Sequence, residues 1–384
     1  MANQRNGVEK PLNREPDLKK LTASFYTEEG AYDRNHGPIP KIDVESHVVQ
    51  VDGTVKTPLS LSIRQLQNDF PQHSIVCALQ CAGNRRHTMR TLLKEVQGID
   101  WGDGAVMNCQ WRGPRLRDVL NKAGLSLSKA DRKRAHIAFA CFATPCQEDT
   151  WFGASIELER GMREDGDVIL ALEMNHHPLH PNHGFPVRVV APGIAGARSV
   201  KWLDRITVQL TESSNFYQQH DYKVLPPEAV DVEAAKRYWH LVPAVQDMPV
   251  NSVVAVPQTG DTVTLSKAGT VEAKGYALPG GDKGPVTRVE VSGDGGRTWT
   301  EAEVVYAPTT AGSPTPNNKW AWALWRAEIK LELCPPDKHK RYKVGRILSR
   351  ATDTGGNKQC VCPAWNLRGV LYNGYGEARD LKVI

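Results

Sequence analysis

Ile75-Val76-Cys77-Ala78-Leu79-Gln80-Cys81-Ala82-Gly83-Asn84-Arg85-Arg86 is the stretch on which the fold turns. Ile75 to Leu79 runs apolar with no polar alternation, the pattern of a strand covered on both faces. The run stops at Gln80, and a thiol, two small residues, an amide and two cations follow. That order predicts a central strand ending in a loop that carries Cys81, and loops held by a rigid sheet are a common place for chemistry.

Upstream, Lys41 to Val51 is β-rich and ends at Asp52-Gly53, which predicts a strand and a tight turn. Ser62 to Phe70 combines a Ser-x-x-Gln capping pattern with Ile63, Leu66 and Phe70 at helical spacing. Downstream, Arg117 to Ala123, with Leu116, Val119 and Leu120, reads as a helix stopped by Gly124. Pro186 to Val190 and Ile206 to Leu210 read as strands flanking the glycine-rich Gly193 to Ala197. Strands and short helices thus alternate through an α+β domain over residues 23–245, preceded by a polar arm, 1–22, that wraps the surface or is partly disordered.

Pro226, Pro227, Pro243, Pro249 and Pro257 make regular structure hard to sustain, so the domain boundary falls near residues 240–250. Beyond it the pattern is short strands: Thr270 to Tyr276, then Val286 to Ser292 joined through Gly293-Asp294-Gly295-Gly296 to Thr298 to Val305, then Trp320 to Leu331 and Tyr342 to Ala351. Strands at this spacing with glycine-rich turns predict an antiparallel β-sandwich over residues 246–384.

A chain of 384 residues, 40% hydrophobic and 24% charged, has the material for two or three cored domains. A net charge of +5 is too small to imply nucleic acid. No apolar stretch approaches the roughly 20 residues of a membrane-spanning helix. The first twenty residues mix charges of both signs without an apolar centre, and the closing Leu381-Lys382-Val383-Ile384 is neither a prenylation box nor a peroxisomal address. Eight cysteines without regular spacing predict reduced thiols. The expectation is a soluble cytoplasmic protein, with the mitochondrial intermembrane space or peroxisome as alternatives.

Three clusters could carry chemistry. In Cys81 to Arg86, small residues let the backbone approach a large ligand while the arginines lower the thiol's pKa and attract an anion; the alternative is a small buried cysteine beside a surface arginine pair. Arg34-Asn35-His36-Gly37-Pro38, and His183-Gly184-Phe185-Pro186-Val187-Arg188 continuing to Arg198-Ser199-Val200-Lys201, set cations and hydrogen-bonding groups beside turns. A phosphate-bearing cofactor requires this, and so does ordinary loop capping. His176, His177, His180 and His183, with Cys141 and Cys146 upstream, match no strong zinc spacing, and Cys360-x-Cys362 is equally weak. Lys129 to Arg134 reads as a solvated basic surface.

Taken in order, these clusters, with Asp221-Tyr222-Lys223 and Trp365-Asn366-Leu367-Arg368-Gly369-Val370, resemble the sulfite oxidase family of molybdenum enzymes from about Tyr32 to Tyr375. The resemblance implies a molybdopterin domain of that family followed by an immunoglobulin-like β-sandwich that pairs two copies into a homodimer. It makes Cys81 the protein thiolate on molybdenum beside one molybdopterin, a soft ligand suited to that site. Asn35, His36, His183, Arg188, Ser199 and Lys201 would hold the pterin and its phosphate. Arg34, Arg86 and Arg368 would bind sulfite, with Tyr222 as a hydrogen-bonding gate. The implied reaction is oxygen-atom transfer giving sulfate, with electrons passing to oxygen or a separate acceptor such as a cytochrome, and with no haem or flavin module in this chain.

Nitrate reductases share the Cys81-type loop and run the transfer in reverse. Arg368 and His87-Thr88-Met89 set this chain apart from them, and a dianion needs the additional cation more than nitrate does. A non-catalytic cofactor carrier is the reading from another class, and the intact arginine set opposes it. One departure is Gln97, where sulfite oxidases carry Lys or Arg, which lowers the pocket's positive charge.

Overall fold

The computed structural model describes residues 10–28, 30–307, 317–334 and 343–384. The first domain is built on two sheets. Its five-stranded sheet runs Leu59–Ser62, Val48–Gly53, Arg205–Gln209, His136–Cys141, Phe152–Glu157, all antiparallel except the Val48–Gly53 and Arg205–Gln209 pair. Val49, Val51, Ile137, Phe139, Ile206 and Val208 bury one face of it under the helices Ile63–Asn68 and Leu116–Ala123. The first helix carries the full capping box, Ser62 and Gln65 satisfying each other's backbone amides, and the second ends on Gly124 at φ 68.

The second sheet runs His177–Pro178, Glu173–Met174, Val106–Pro114, Gln72–Gln80. The strand expected to be central is therefore at this sheet's edge. Its two-sided apolar character has another cause: Ile75, Cys77 and Leu79 face the first domain's core, while Val76 and Ala78 pack on Tyr276, Leu278, Ala321 and Trp322 of the second domain.

The second domain is a sandwich of a four-stranded sheet, Asn251–Val256, Thr270–Leu278, Ala323–Lys330, Glu303–Val305, on a five-stranded one, Thr262–Val263, Gly376–Val383, Lys343–Asp353, Val286–Ser292, Thr300–Glu301. Valines, alanines and Trp325 fill the space between the sheets. The β-sandwich expectation holds, with two changes. The single strand read over Thr298 to Val305 is split: Thr300–Glu301 pairs with one sheet and Glu303–Val305 with the other, the chain crossing at buried Ala302. Asn251–Val256 and Gly376–Val383 were not anticipated. Tyr342 lies outside the described residues.

Two further corrections concern the first domain. The strand expected from Lys41 begins only at Val48, because Asp43 closes a turn first: its carbonyl accepts the His47 amide and its carboxylate the Glu45 amide. The arginine pair after Cys81 is not on the surface, since Arg85 and Arg86 are 1% and 5% exposed. Among the described residues no helix is long and apolar enough to cross a membrane.

Candidate active site

The loop after the Gln72–Gln80 strand is clamped at almost every residue. The Cys81 amide donates to Ala105 O (2.9 Å), and the Ala82 carbonyl accepts the Leu371 amide (2.8 Å). Asn84 links Ala105 to the Tyr276 hydroxyl. Arg85, at φ 67, drives its guanidinium into the second domain, donating to Asn251 Oδ1 (2.8 Å), Gly374 O (2.6 Å) and Tyr375 O (2.7 Å) over the Tyr372 ring. Arg86 donates to Arg368 O (2.9 Å) and Ile99 O (2.7 Å). Its guanidinium lies so close to Gly83 and Gly98 that a Cβ there would stand 2.5 and 2.7 Å from it. What remains free in the loop is the Cys81 sulfur, buried and facing a cleft, with the Gly83 amide donating to it at 3.4 Å.

That cleft has a volume of about 730 Å³ including its mouth. It is bordered by nine of the eleven residues expected at the site: Arg34, Asn35, His36, Cys81, His183, Arg188, Ser199, Lys201 and Tyr222. They come from segments up to 188 positions apart, Arg34 to Tyr222, so only the fold unites them.

The protonation of the central triplet follows from its bonds. Arg34 Nη2 meets His36 Nδ1 at 3.1 Å, and a guanidinium only donates, so Nδ1 is the acceptor. Burial, reinforced by Arg34, Lys201 and Arg368, pushes the His36 pKa well down and leaves the ring neutral. Its one proton is then on Nε2, which donates to the Tyr222 hydroxyl oxygen at 2.7 Å. The Tyr222 proton is left to point elsewhere, and burial raises that phenol's pKa, so it remains a neutral donor. The imidazole cannot easily turn, with Phe152 stacked on it and Tyr217 tilted against it.

At the other end of the cleft, Arg188 donates to His183 O (2.9 Å) and Ser199 O (3.0 Å) and lies over Trp111. Lys201 bonds Asn35 Oδ1 and Asn182 O. Burial first, and then Arg188, bring the Lys201 pKa to about 7. Burial with Lys201 nearby brings His183 to about 3. Neutral imidazoles among cations leave a net positive interior that calls for an anion.

Arg86 and Arg368 do not border the cleft. Arg368 is paired with Asp221, directly before Tyr222. Several contributors escaped the sequence reading. Tyr32, Cys146 and Phe152 line the cleft as isolated residues with no motif of their own. The polar arm takes part as well: Asn13 Oδ1 accepts from Arg34 Nη1 and the Asn35 amide, and Glu15 accepts the Gly102 and Gly104 amides. Lys223 turns away to Trp239 O. Gln97 does not border the cleft, and its amide donates to Leu367 O (2.7 Å). Among the described residues no group of three His, Cys, Asp or Glu side chains could hold a metal ion, zinc at the histidine segment included.

Residues 36–217 match the family described as an oxidoreductase molybdopterin binding domain, and residues 242–378 match the Mo-co oxidoreductase dimerisation domain. The chain is 36% identical over 374 residues to sulfite oxidase of Arabidopsis thaliana, covering 95% of this chain and 90% of that one. The chain belongs to the sulfite oxidase family. It is also 41% identical over 375 residues to mitochondrial sulfite oxidase of Homo sapiens, covering 96% of this chain and 64% of the human protein. It thus spans just under two thirds of that relative. Nitrate reductase [NADH] 1 of Oryza sativa subsp. japonica shares 36% identity over 377 residues, which are 39% of its length. Among solved structures, the sulfane dehydrogenase SoxCD from Paracoccus pantotrophus superposes with a TM-score of 0.71 at 23% identity, over 95% of this chain and 85% of that one, a likeness of fold.

Proposed function

We propose that this protein oxidises sulfite to sulfate, with Cys81 as the protein ligand to a molybdenum held by one molybdopterin. The observation that carries the reading is the buried Cys81 sulfur, free among its clamped neighbours, opening into a cleft lined by Arg34, Arg188 and Lys201. The donor set fits that group: a soft thiolate for the metal, and two cations for a phosphate. When bound, the cofactor supplies the transferable oxygen and accepts the electron pair.

The chain does the rest. Arg188 and Lys201, with the Ser199 and His183 region between them, hold the phosphate end; a bound phosphate would return charge to an amine whose pKa burial has lowered to about 7. Arg34, Arg86 and Arg368 supply positive charge that proton loss cannot remove, the requirement for desolvating a dianion. His36, through its Nε2 proton, turns the Tyr222 hydroxyl so that it donates into the cleft and orients the substrate oxygens. Electrons then leave to oxygen or to a separate one-electron acceptor, and the working form is a homodimer through the second domain.

The reverse reaction on nitrate is the second reading, favoured by the rice relative. An anaerobic titration of the oxidised, molybdenum-loaded protein separates the two. Prompt bleaching of the visible thiolate-to-molybdenum absorption by sulfite is expected. Failure to bleach, with colour returned to the reduced protein by nitrate, would reverse the assignment. Cys81→Ser should abolish both the absorption and turnover while leaving the fold, and retained turnover would remove Cys81 from the metal.

A further inference from the structure

Arg368 reaches the site from the second domain, yet its guanidinium stops short of the cleft. Its Nη2 donates to Asp221 Oδ1, and the two side chains are 19% and 13% exposed. Asp221 closes the π-helical turn Tyr217–Asp221, a geometry that concentrates at functional sites, and the next residue is Tyr222. The ion pair is therefore tied to the residue that borders the cleft, and the Asp221 charge acts on the Tyr222 hydroxyl. Arg368 Nε is buried and has no hydrogen-bond partner among the described residues. A guanidinium whose buried Nε is left idle is under-satisfied by its carboxylate alone, and an oxyanion would complete it.

Asp221 also bears on more than one cation. Its charge acts on Arg34, Arg86 and Arg198 as well as on its direct partner. In an interior rich in arginines, it supplies negative charge as a bound anion would, and it is covalently fixed there.

We propose that Asp221 is a resident counter-anion that sets anion selectivity: it holds Arg368 in an ion pair, and an oxyanion gains that guanidinium only by competing with the carboxylate. The inference rests on the proposed role of Arg368 as a substrate cation. A monoanion such as nitrate offers no more charge than the carboxylate it must displace. A dianion with three or four oxygens offers more charge and can use the idle Nε donor at the same time. The pair thus works by penalising the wrong ligand.

The test is calorimetric binding of sodium sulfate and sodium nitrate to the full-length oxidised protein. It compares the unsubstituted chain, Asp221→Asn, Arg368→Met and the double variant, with the sulfite KM and kcat measured alongside. Asp221→Asn keeps the side-chain shape; Asp221→Ser serves if the amide variant does not fold. The expected result is sulfate affinity tightened on the order of three- to tenfold, nitrate affinity tightened by more, and no change from the Asp221 substitution once Arg368 is Met. Weakened or unchanged sulfate binding in Asp221→Asn would overturn the proposal, and so would a gain that persists without Arg368. If Arg368→Met by itself leaves sulfate binding and the sulfite KM unchanged, the assignment of Arg368 to the substrate falls, separately from the counter-anion idea.

Discussion

His36 has one job that its immediate bonds define: accept from Arg34 on one nitrogen and donate to Tyr222 from the other. Gln can do both and Leu neither. His36→Gln should therefore stay within about 1 kcal/mol of the parent, whereas His36→Leu strands two buried polar groups and should cost about 1–3 kcal/mol or more, read from urea midpoints. Long-range nitrogen–proton NMR of the parent should show a neutral ring protonated at Nε2; a proton on Nδ1 would contradict the bond assignment. His183 gives a pH prediction. Burial holds its folded pKa at about 3 against 6.5 in the unfolded chain, so across that window the unfolded state binds a proton that the native state does not. Stability should accordingly fall as pH drops from 6.5 toward 3, and His183→Gln should flatten that slope. The motifs around both residues were legible in sequence because each is a local string. The pairing of Arg368 with Asp221, 147 positions away, was not, since no spacing encodes a contact made by packing two domains together.

The polar arm shows how an element that reads as surface wrapping can support a site. Asn13–Arg14 pairs with Asp33–Arg34, Arg14 reaches the fully buried Asp33 at 2.8 Å, and Glu15 accepts two amides in the loop beside Trp101. Burial raises the Glu15 pKa while the Gly104 and Gly102 amides oppose the rise, so the carboxylate is held by those two donors. Glu15→Ala should leave both amides without their acceptor. We expect a loss of about 1–3 kcal/mol and faster hydrogen exchange confined to peptides spanning Gly102 and Gly104; uniform exchange along the chain would remove Glu15 from that loop. The sequence held no sign of this, because Asn and Glu in a proline-flanked arm look the same whether solvated or capping. The helix starting at Ile63 was legible, since Ser62 and Gln65 are the two ends of one local device four residues long. The split at Ala302 was not: an extended chain that changes sheets keeps the same alternation on either side.

At the scale of the molecule, the Cys81 loop belongs to both domains. Val76 and Ala78 of its strand pack on Trp322 and Tyr276, and Arg85 satisfies carbonyls at Gly374 and Tyr375 together with Asn251. This geometry predicts that the domains unfold as one unit, and Arg85 is the residue that can show it. Arg85→Met keeps the stem but takes the donor from Tyr375 O and leaves Asn251 Oδ1 and Gly374 O to Gln359 Nε2 alone, a loss on the order of 1–3 kcal/mol. Arg85→Lys should not restore it, because one ammonium cannot span acceptors that a planar fork reaches together. Calorimetry should pass from one transition to two in Arg85→Met. The same substitution should weaken sulfate binding although Arg85 never borders the cleft, because Arg86 and Arg368 hold their mutual geometry only while the domains stay registered. Two transitions in the parent protein, or sulfate affinity indifferent to Arg85→Met, would mean that the first domain positions its cations without the second.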